Sequence, residues 1–236
     1  MNRYIADLHL SHGNIIKFDN RPFDSAEQMN AKIIKNWNSV VKNEDTTYIL
    51  GDFCWGKEPE WIEILDKLNG NKVLIRGNHD LTCMSKALRD KFSYIKDRYE
   101  LSEYGKKIIL SHYPELAYKS SYKENVFMLH GHVHYRTNEA VLIRKWIREL
   151  KDNRKNAWDN RGQIINVGCM LKEMDYTPRT LMEILHANGY CLDEDWQLNS
   201  YFIGKIGCEN TRKTEKTREK RRCENGAGND DKALCR

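Results

Sequence analysis

A chain of 236 residues with 40% hydrophobic residues suits one domain with a substantial core, and 31% charged residues with a mean hydropathy of −0.77 give it a polar surface. The formal net charge of +5 is local: residues 212–222 carry seven Lys or Arg against Glu215 and Glu219, so the rest of the chain is near neutral and does not argue for a nucleic-acid-binding body. The seven cysteines form no CxxC pair, no apolar run approaches a membrane span, and the N-terminus lacks the apolar segment of a signal peptide, so the expectation is a cytoplasmic protein with free thiols and no membrane contact.

In chain order, residues 3–8 read as a short strand. Residues 25–41 read as a helix capped by Ser25 or Asp24, because Met29, Ile33, Trp37 and Val41 recur at every fourth position. Thr46 to Leu50 is a β-rich run that ends in Gly51-Asp52. Pro59 opens a second helix, with Trp61, Ile64, Leu65 and Leu68 on one face and Gly70 beyond its end. Val73 to Ile75 is a strand that runs into Gly77-Asn78-His79-Asp80. This alternation places loops at the carboxyl ends of strands in an α/β core. Beyond residue 92, Tyr99 to Leu101 and Lys107 to Leu110 flank Glu103-Tyr104-Gly105, a hairpin signal. Val126 to Leu129 and Ile164 to Val167 follow as strands, and Thr180 to Ala187 as a late helix. With few helices between the later strands, the pattern predicts two packed sheets, one mixed and one largely antiparallel. Residues 139–152 read as an amphipathic helix within an insertion, 136–162, near the site. The domain is expected to span 1–208, with 209–236 a basic, disordered tail lacking hydrophobic periodicity.

Seven of the eight histidines precede residue 135, and most sit in polar clusters at the ends of apolar runs: Asp7-Leu8-His9, Gly77-Asn78-His79-Asp80, Ser111-His112 and Gly131-His132-Val133-His134, with Gly51-Asp52 between the first two. Ligands of nitrogen and oxygen without thiolate point to a hydrolytic centre over a structural zinc knot. Asp52 is the candidate bridge, since one carboxylate can give an oxygen to each of two cations. Asp7 and His9, two apart on an extended segment, would project to one side, and His132 and His134 repeat that spacing. The assignment is Asp7, His9, His134 and Asp52 to one ion, and Asn78, His112, His132 and Asp52 to the other, a pair that can clamp a phosphoryl group. His79, beside a ligand, is left as general acid for the leaving oxygen. Asp80 either orients that imidazole or caps the segment beginning at Leu81. Arg76 could balance phosphate charge, and His12 could stack on substrate or bind its phosphate. His130 reads as a buried strand-end histidine. Trp37, Trp61 and Trp146 read as packing residues and Cys54 as a small buried filler.

These five blocks, in this order, resemble the calcineurin-like metallophosphoesterase superfamily. The resemblance implies an α/β fold, a four-layer αββα sandwich with two central mixed β-sheets. It also implies a dinuclear centre of manganese foremost, or of iron, zinc or nickel, and phosphoester hydrolysis by a metal-bridging hydroxide. The longer stretch from Asp7 to Ile16, with Phe18, Arg21-Pro22-Phe23, Asn166-Val167-Gly168 and Tyr176-Thr177-Pro178, is similar to a compact bacterial and phage branch. The family's protein Ser/Thr phosphatases carry Gly and Glu where Leu10 and Asp80 stand here, so the resemblance favours small phosphodiesters or nucleotide-type substrates over phosphoproteins. Two other readings stand beside it. One is a nuclease-like phosphodiesterase that holds DNA or RNA with the basic run. The other is a metal-stabilised binding module without chemistry, against which the complete ligand set and His79 count. Oligomeric state is not legible.

Overall fold

The computed structural model of the chain describes residues 1–135, 137–153 and 162–190. The chain divides into Met1–Asn188 and Gly189–Arg236, and the fold below is that of the first unit. The tail 209–236, with its basic run, and residues 154–161 of the expected insertion lie outside the described residues.

Two four-stranded sheets form the centre. In the first, β1 (Asn2–Ile5), β2 (Thr46–Leu50), β3 (Asn71–Ile75) and β4 (Tyr94–Lys96) pair in that order and all in parallel. Their connections carry α1 (Gly13–Asp19), α2 (Ala26–Val40), α3 (Glu58–Lys67) and the short α4 (Lys86–Arg89). In the second, β5 (Arg98–Glu103) and β6 (Lys106–Ser111) form an antiparallel hairpin, and β7 (Val126–His130) and β8 (Ile164–Asn166) continue parallel to β6. α5 (Asn138–Asp152) is the crossover between β7 and β8, and α6 (Leu181–Ala187) follows β8. Among the described residues, no helix is long and apolar enough to cross a membrane.

Local sequence explains most of these elements. Ser25 Oγ accepts from the Gln28 N–H at 3.2 Å and starts α2. The four-residue recurrence then buries Met29, Ile33 and Trp37, each aliphatic side chain contributing about 2 kcal/mol. The Trp37 indole N–H donates to Asn69 O at 3.0 Å, which ties α2 to the turn after α3. In α3, Pro59 sits in the first turn, where no backbone N–H is required, and Trp61, Ile64 and Leu65 are buried. The β5–β6 hairpin turns at Tyr104-Gly105 with φ of 50° and 70°, the two left-handed residues of a type I′ turn.

Strand alternation sorts the layers. Tyr48 of β2 stacks on Tyr99 of β5 at 6.0 Å, and the Tyr4 hydroxyl donates to Glu103, so these residues lie between the sheets. Tyr99 pairs with Leu110 and Leu110 with Leu129, which places both leucines on that inner face. The opposite face of the second sheet carries Ile109, Val126, Met128 and Ile164, covered by Tyr118 and by Trp146 and Ile147 of α5. On the outer face of the first sheet, Lys72 reaches the C-terminal carbonyls of α3, Leu65 O at 3.3 Å and Leu68 O at 2.8 Å. The four-layer α/β architecture expected from the resemblance is therefore present.

Strand direction departs from expectation. The later sheet is mixed, not largely antiparallel, since only β5–β6 is antiparallel, and the four strands of the first sheet are all parallel. Among the described residues, the first sheet gains an antiparallel partner as a bridge between Tyr4 and Arg179. Few helices between late strands suggested hairpins, but the loop from His112 to Asn125 is long enough to carry a parallel crossover without a helix.

Cys54 and Cys169 are buried, and burial pushes their thiols up to about 11 and about 12, whereas Cys83 is exposed. Iodoacetamide at about pH 8 should label Cys83 in the native protein and spare Cys54 and Cys169 until denaturant is added, as read by peptide mass spectrometry. Labelling of the buried pair at the rate of Cys83 would contradict this packing.

Candidate metal centre

Five strands, β1, β2, β3, β6 and β7, each deliver one polar cluster from their carboxyl ends. The delivery is not by extended chain. Asp7, His9 and Ser11 have φ of 56°, 49° and 62°, Asp52 has 54° and His132 has 65°. The expected extended Asp7-Leu8-His9 is thus corrected: the two side chains converge because the backbone turns left-handed at each. That conformation costs on the order of 1 kcal/mol per residue with a Cβ, and neighbouring structure must hold it. Here the holding bonds are visible. Asp7 N donates to Gly51 O at 3.1 Å, His9 N to Asp52 O at 2.9 Å, Leu10 N to Phe53 O at 3.0 Å, and His132 N to Asp7 Oδ1 at 2.9 Å. Close approach also requires missing side chains. A Cβ on Gly51 would sit 2.2 Å from His112 Nδ1, and one on Gly77 would sit 2.3 Å from Asp52 Oδ1.

The side chains meet nitrogen to nitrogen and nitrogen to oxygen. His134 Nδ1 donates to Asp19 Oδ1 at 2.7 Å, so in the neutral ring Nε2 presents a lone pair, 3.3 Å from His9 Nε2. His112 Nδ1 donates to Leu50 O at 2.8 Å, so its Nε2 lone pair faces Asn78 Oδ1 at 2.9 Å. His132 Nδ1 lies 3.0 Å from the same oxygen. Asp52 Oδ2 lies 3.5 Å from His9 Nε2 and 3.6 Å from His112 Nε2, between the two histidines. Asp7 Oδ2 is buried and has no hydrogen-bond partner. Ligand atoms of Asp7, His9 and His134 all lie within 4.8 Å of one another, and so do those of Asp7, Asp52 and His112. These residues fit divalent cations: the donors are oxygen and nitrogen, they lie close together, and one buried carboxylate oxygen is without a partner.

The electrostatics agree. Burial pushes the Asp7 carboxyl up to about 6, against the downward pull of His134 and His112. Burial, reinforced by Arg21, holds His9 well below the usual imidazole range, in its neutral, ligating form. Burial also acts to lower the His134 imidazole, but the nearby Asp19 and Asp7 carboxylates outweigh it and hold that ring above its usual range. A buried carboxylate with an unmet oxygen beside the neutral His9 imidazole is a site that gains from positive charge.

The structure brings together all seven residues assigned to the metals: Asp7, His9, Asp52, Asn78, His112, His132 and His134. His79 stands at their edge, exposed, its backbone N–H donating to Asp52 Oδ1 at 2.9 Å and its ring 5.7 Å from that of His9. Asp80 neither orients His79 nor caps the segment at Leu81. Its carboxylate accepts from three backbone N–H groups, Gly77 at 2.7 Å, Phe53 at 2.8 Å and Asp52 at 3.0 Å, and so clamps the β3 loop to the β2 loop. Arg76 is turned to Asp97, 3.7 Å away, and not to the ligand cluster. His12 lies beside the cluster, its ring 5.6 Å from that of His9. His130 is buried as expected, its Nδ1 donating to Gly131 O at 2.8 Å.

Four further residues belong to the site's surroundings. Asp19 receives the His134 N–H and is itself paired with buried Arg21 at 2.9 Å. Arg21 also donates to Leu8 O at 2.8 Å and Asp7 O at 2.9 Å, tying down the carbonyls of the first left-handed turn. Burial acts to raise the Asp19 carboxyl, but the hydrogen bonds and charges of His134 and Arg21 outweigh it and hold the group ionised. Trp55 and Tyr113 flank the cluster, each about half exposed, Trp55 against His12 and His79 and Tyr113 against His112 and His132. Arg21 was visible in the sequence as part of a motif, without a role. Asp19 carried no spacing signal, because α1 itself lacks an apolar period.

Comparison with known proteins gives the same direction. A family model described as calcineurin-like phosphoesterase matches residues 4–177. An uncharacterized protein, MJ1445, of Methanocaldococcus jannaschii is 41% identical over 133 residues, 55% of this chain and 67% of that protein. The gene 66 protein of Mycobacterium phage L5 is 38% identical over 80 residues, 33% of this chain and 38% of that protein. The crystal structure of AQ665 from Aquifex aeolicus, a protein of unknown function, is similar with a TM-score of 0.56 and 31% identity, covering 78% of this chain and 97% of that one. With a match across most of its length and Asp/His groups able to hold metal, this chain belongs to the calcineurin-like phosphoesterase family.

Proposed function

We propose that the protein is a dinuclear, manganese-dependent phosphodiesterase acting on small phosphodiesters or nucleotide-type substrates. The observation that carries the reading is the convergence of His, Asp and Asn nitrogen and oxygen atoms around a buried, unpartnered Asp7 Oδ2, with an exposed histidine at their edge. Asp7, His9, His134 and Asp52 would hold one ion, and Asn78, His112, His132 and Asp52 the other. Ions bound there would lower the pKa of attacking water and offset phosphoryl charge.

The chain's own residues do the rest. Asp52 lies where both groups can share it, and its second oxygen fixes the backbone of His79. The Asp80 clamp keeps the two loops in register. Water adds to phosphorus and releases one proton to solvent, the bond from phosphorus to the leaving oxygen breaks, and that oxygen keeps the electron pair and takes a proton from the His79 imidazolium, which solvent then reprotonates. Arg76, whose Nη1 lies 3.7 Å from the exposed Asp97, would balance phosphate charge, and Asp80 would act by positioning.

Two outcomes follow. His79→Ala should lower kcat by about a hundredfold or more on a diester with an alkoxide leaving group, and far less on a p-nitrophenyl diester, whose leaving group needs no proton. Metal content by elemental analysis should stay at the wild-type level. Equal losses on both substrates would remove His79 from the acid role. Asp19→Ala should weaken Mn²⁺ binding about tenfold in calorimetry, because His134 loses the acceptor that fixes its tautomer, while Asp19→Asn keeps an acceptor and loses less. Unchanged affinity in both variants would contradict the assignment of His134.

A further inference from the structure

Three tryptophans of the first unit differ in burial. Trp37 and Trp61 are fully buried, as packing residues should be, whereas Trp55 keeps 50% of its surface in solvent. Its position is nonetheless fixed. Trp55 N donates to Leu10 O at 2.8 Å, and the adjacent Cys54 bridges Leu10, so the ring rides on the same two loops that carry His9 and Asp52. His12 lies parallel to the indole at 4.1 Å and 8°, covering one face. The remaining surface borders His79, whose ring is 5.0 Å away and tilted by 52°, and is open to solvent.

A rigidly placed, half-exposed indole gains little for the fold, since the apolar area it leaves in water contributes nothing to burial. Its value lies in what can cover it. It borders His79, the residue that protonates the leaving oxygen in the scheme above, so the group bonded to that oxygen must pass along it. A planar aromatic arm can stack on the open indole and recover the unburied area, and an alkyl arm cannot do so to the same extent. We propose that Trp55 is a stacking platform that selects phosphodiesters whose leaving group carries a planar aromatic ring, a nucleoside being the biological case. The inference rests on the hydrolytic reading for its placement on the leaving-group side.

The test compares Trp55→Leu, which keeps an apolar side chain without a π face, with Trp55→Phe, which keeps one. The metal-loaded protein is assayed on the dinucleoside phosphate ApA and on glycerophosphoglycerol, which has alkyl arms only. The expected result is a fall in kcat/KM of about tenfold greater on ApA than on glycerophosphoglycerol for the Leu variant, carried by KM, with most of that difference restored by Phe. Calorimetry with adenosine monophosphate, which needs no turnover, should show about tenfold weaker binding to the Leu variant and near wild-type binding to the Phe variant. Leu and Phe variants that lose equally on both diesters, and that bind adenosine monophosphate alike, would overturn the platform and leave Trp55 a prop for His12 and His79. A wild-type protein that cleaves neither diester, yet binds adenosine monophosphate in the Trp55-dependent way, would support the platform while contradicting the hydrolytic reading, so the two can fail separately.

Discussion

A buried carboxylate oxygen with no donor, set among imidazole nitrogens and a second carboxylate, is the constraint around which this molecule is arranged. His9 Nε2 faces His134 Nε2, His112 Nε2 faces Asn78 Oδ1, and Asp7 Oδ2 faces no donor at all. The unpartnered Asp7 oxygen is unfavourable unless positive charge enters, because a buried acceptor without a partner keeps its full desolvation cost. The fold brings these groups together through main-chain bonds between the loops, joined by two that use the carboxylates, His132 N to Asp7 Oδ1 and His79 N to Asp52 Oδ1. Left-handed turns at Asp7, His9, Asp52 and His132 aim the side chains inward, and Gly51 and Gly77 leave room for them. The energy of strand pairing and core burial is thus spent in part on a polar arrangement that a cation completes.

A second set of interactions sets the protonation of the first. In two of the candidate ligands the ring hydrogen is drawn to the nitrogen away from the cluster: His134 gives its own to Asp19, and His112 gives its own to a main-chain carbonyl. Arg21 compensates Asp19 and at the same time grips the carbonyls of Leu8 and Asp7. A buried Arg–Asp pair is seldom worth much to stability by itself, since desolvation offsets attraction. Its worth here is in fixing a tautomer and a turn, so that loosening it would be felt in metal affinity before it was felt in folding.

Much of the scaffold was legible because its signals are local. The four-residue recurrence of Met29, Ile33 and Trp37 with a Ser25 cap gave α2, and Tyr104-Gly105 gave the hairpin turn. The ligand clusters were legible as residue types at strand ends, and the seven assigned ligands do converge. What the sequence hid was geometry set by contacts distant along the chain. No local rule says that Asp7 and His9 turn left-handed, since the bonds that hold them come from Gly51 and Asp52. Nor does spacing reveal that Asp80 reaches back to Phe53, which is why orienting a neighbour or capping a helix looked as plausible as clamping a loop. Strand direction in the second sheet failed for the same reason: a crossover without a helix resembles a hairpin connection until the partner strand is known. Trp55 escaped notice because a lone aromatic in a loop has no periodicity to mark it.

The most direct test of the account is thermal unfolding of metal-free protein with and without Mn²⁺. If the buried acceptors await cations, Tm should rise with Mn²⁺ by the equivalent of about 2.7 kcal/mol at a hundredfold excess over Kd, and a chelator should reverse the rise. Asp7→Asn, which keeps the shape but removes the charge of the unpartnered carboxylate, should lose most of that increment. A wild-type Tm that does not move with added Mn²⁺, or with other divalent ions, would show that the converging lone pairs are satisfied without metal, and the central claim would fall.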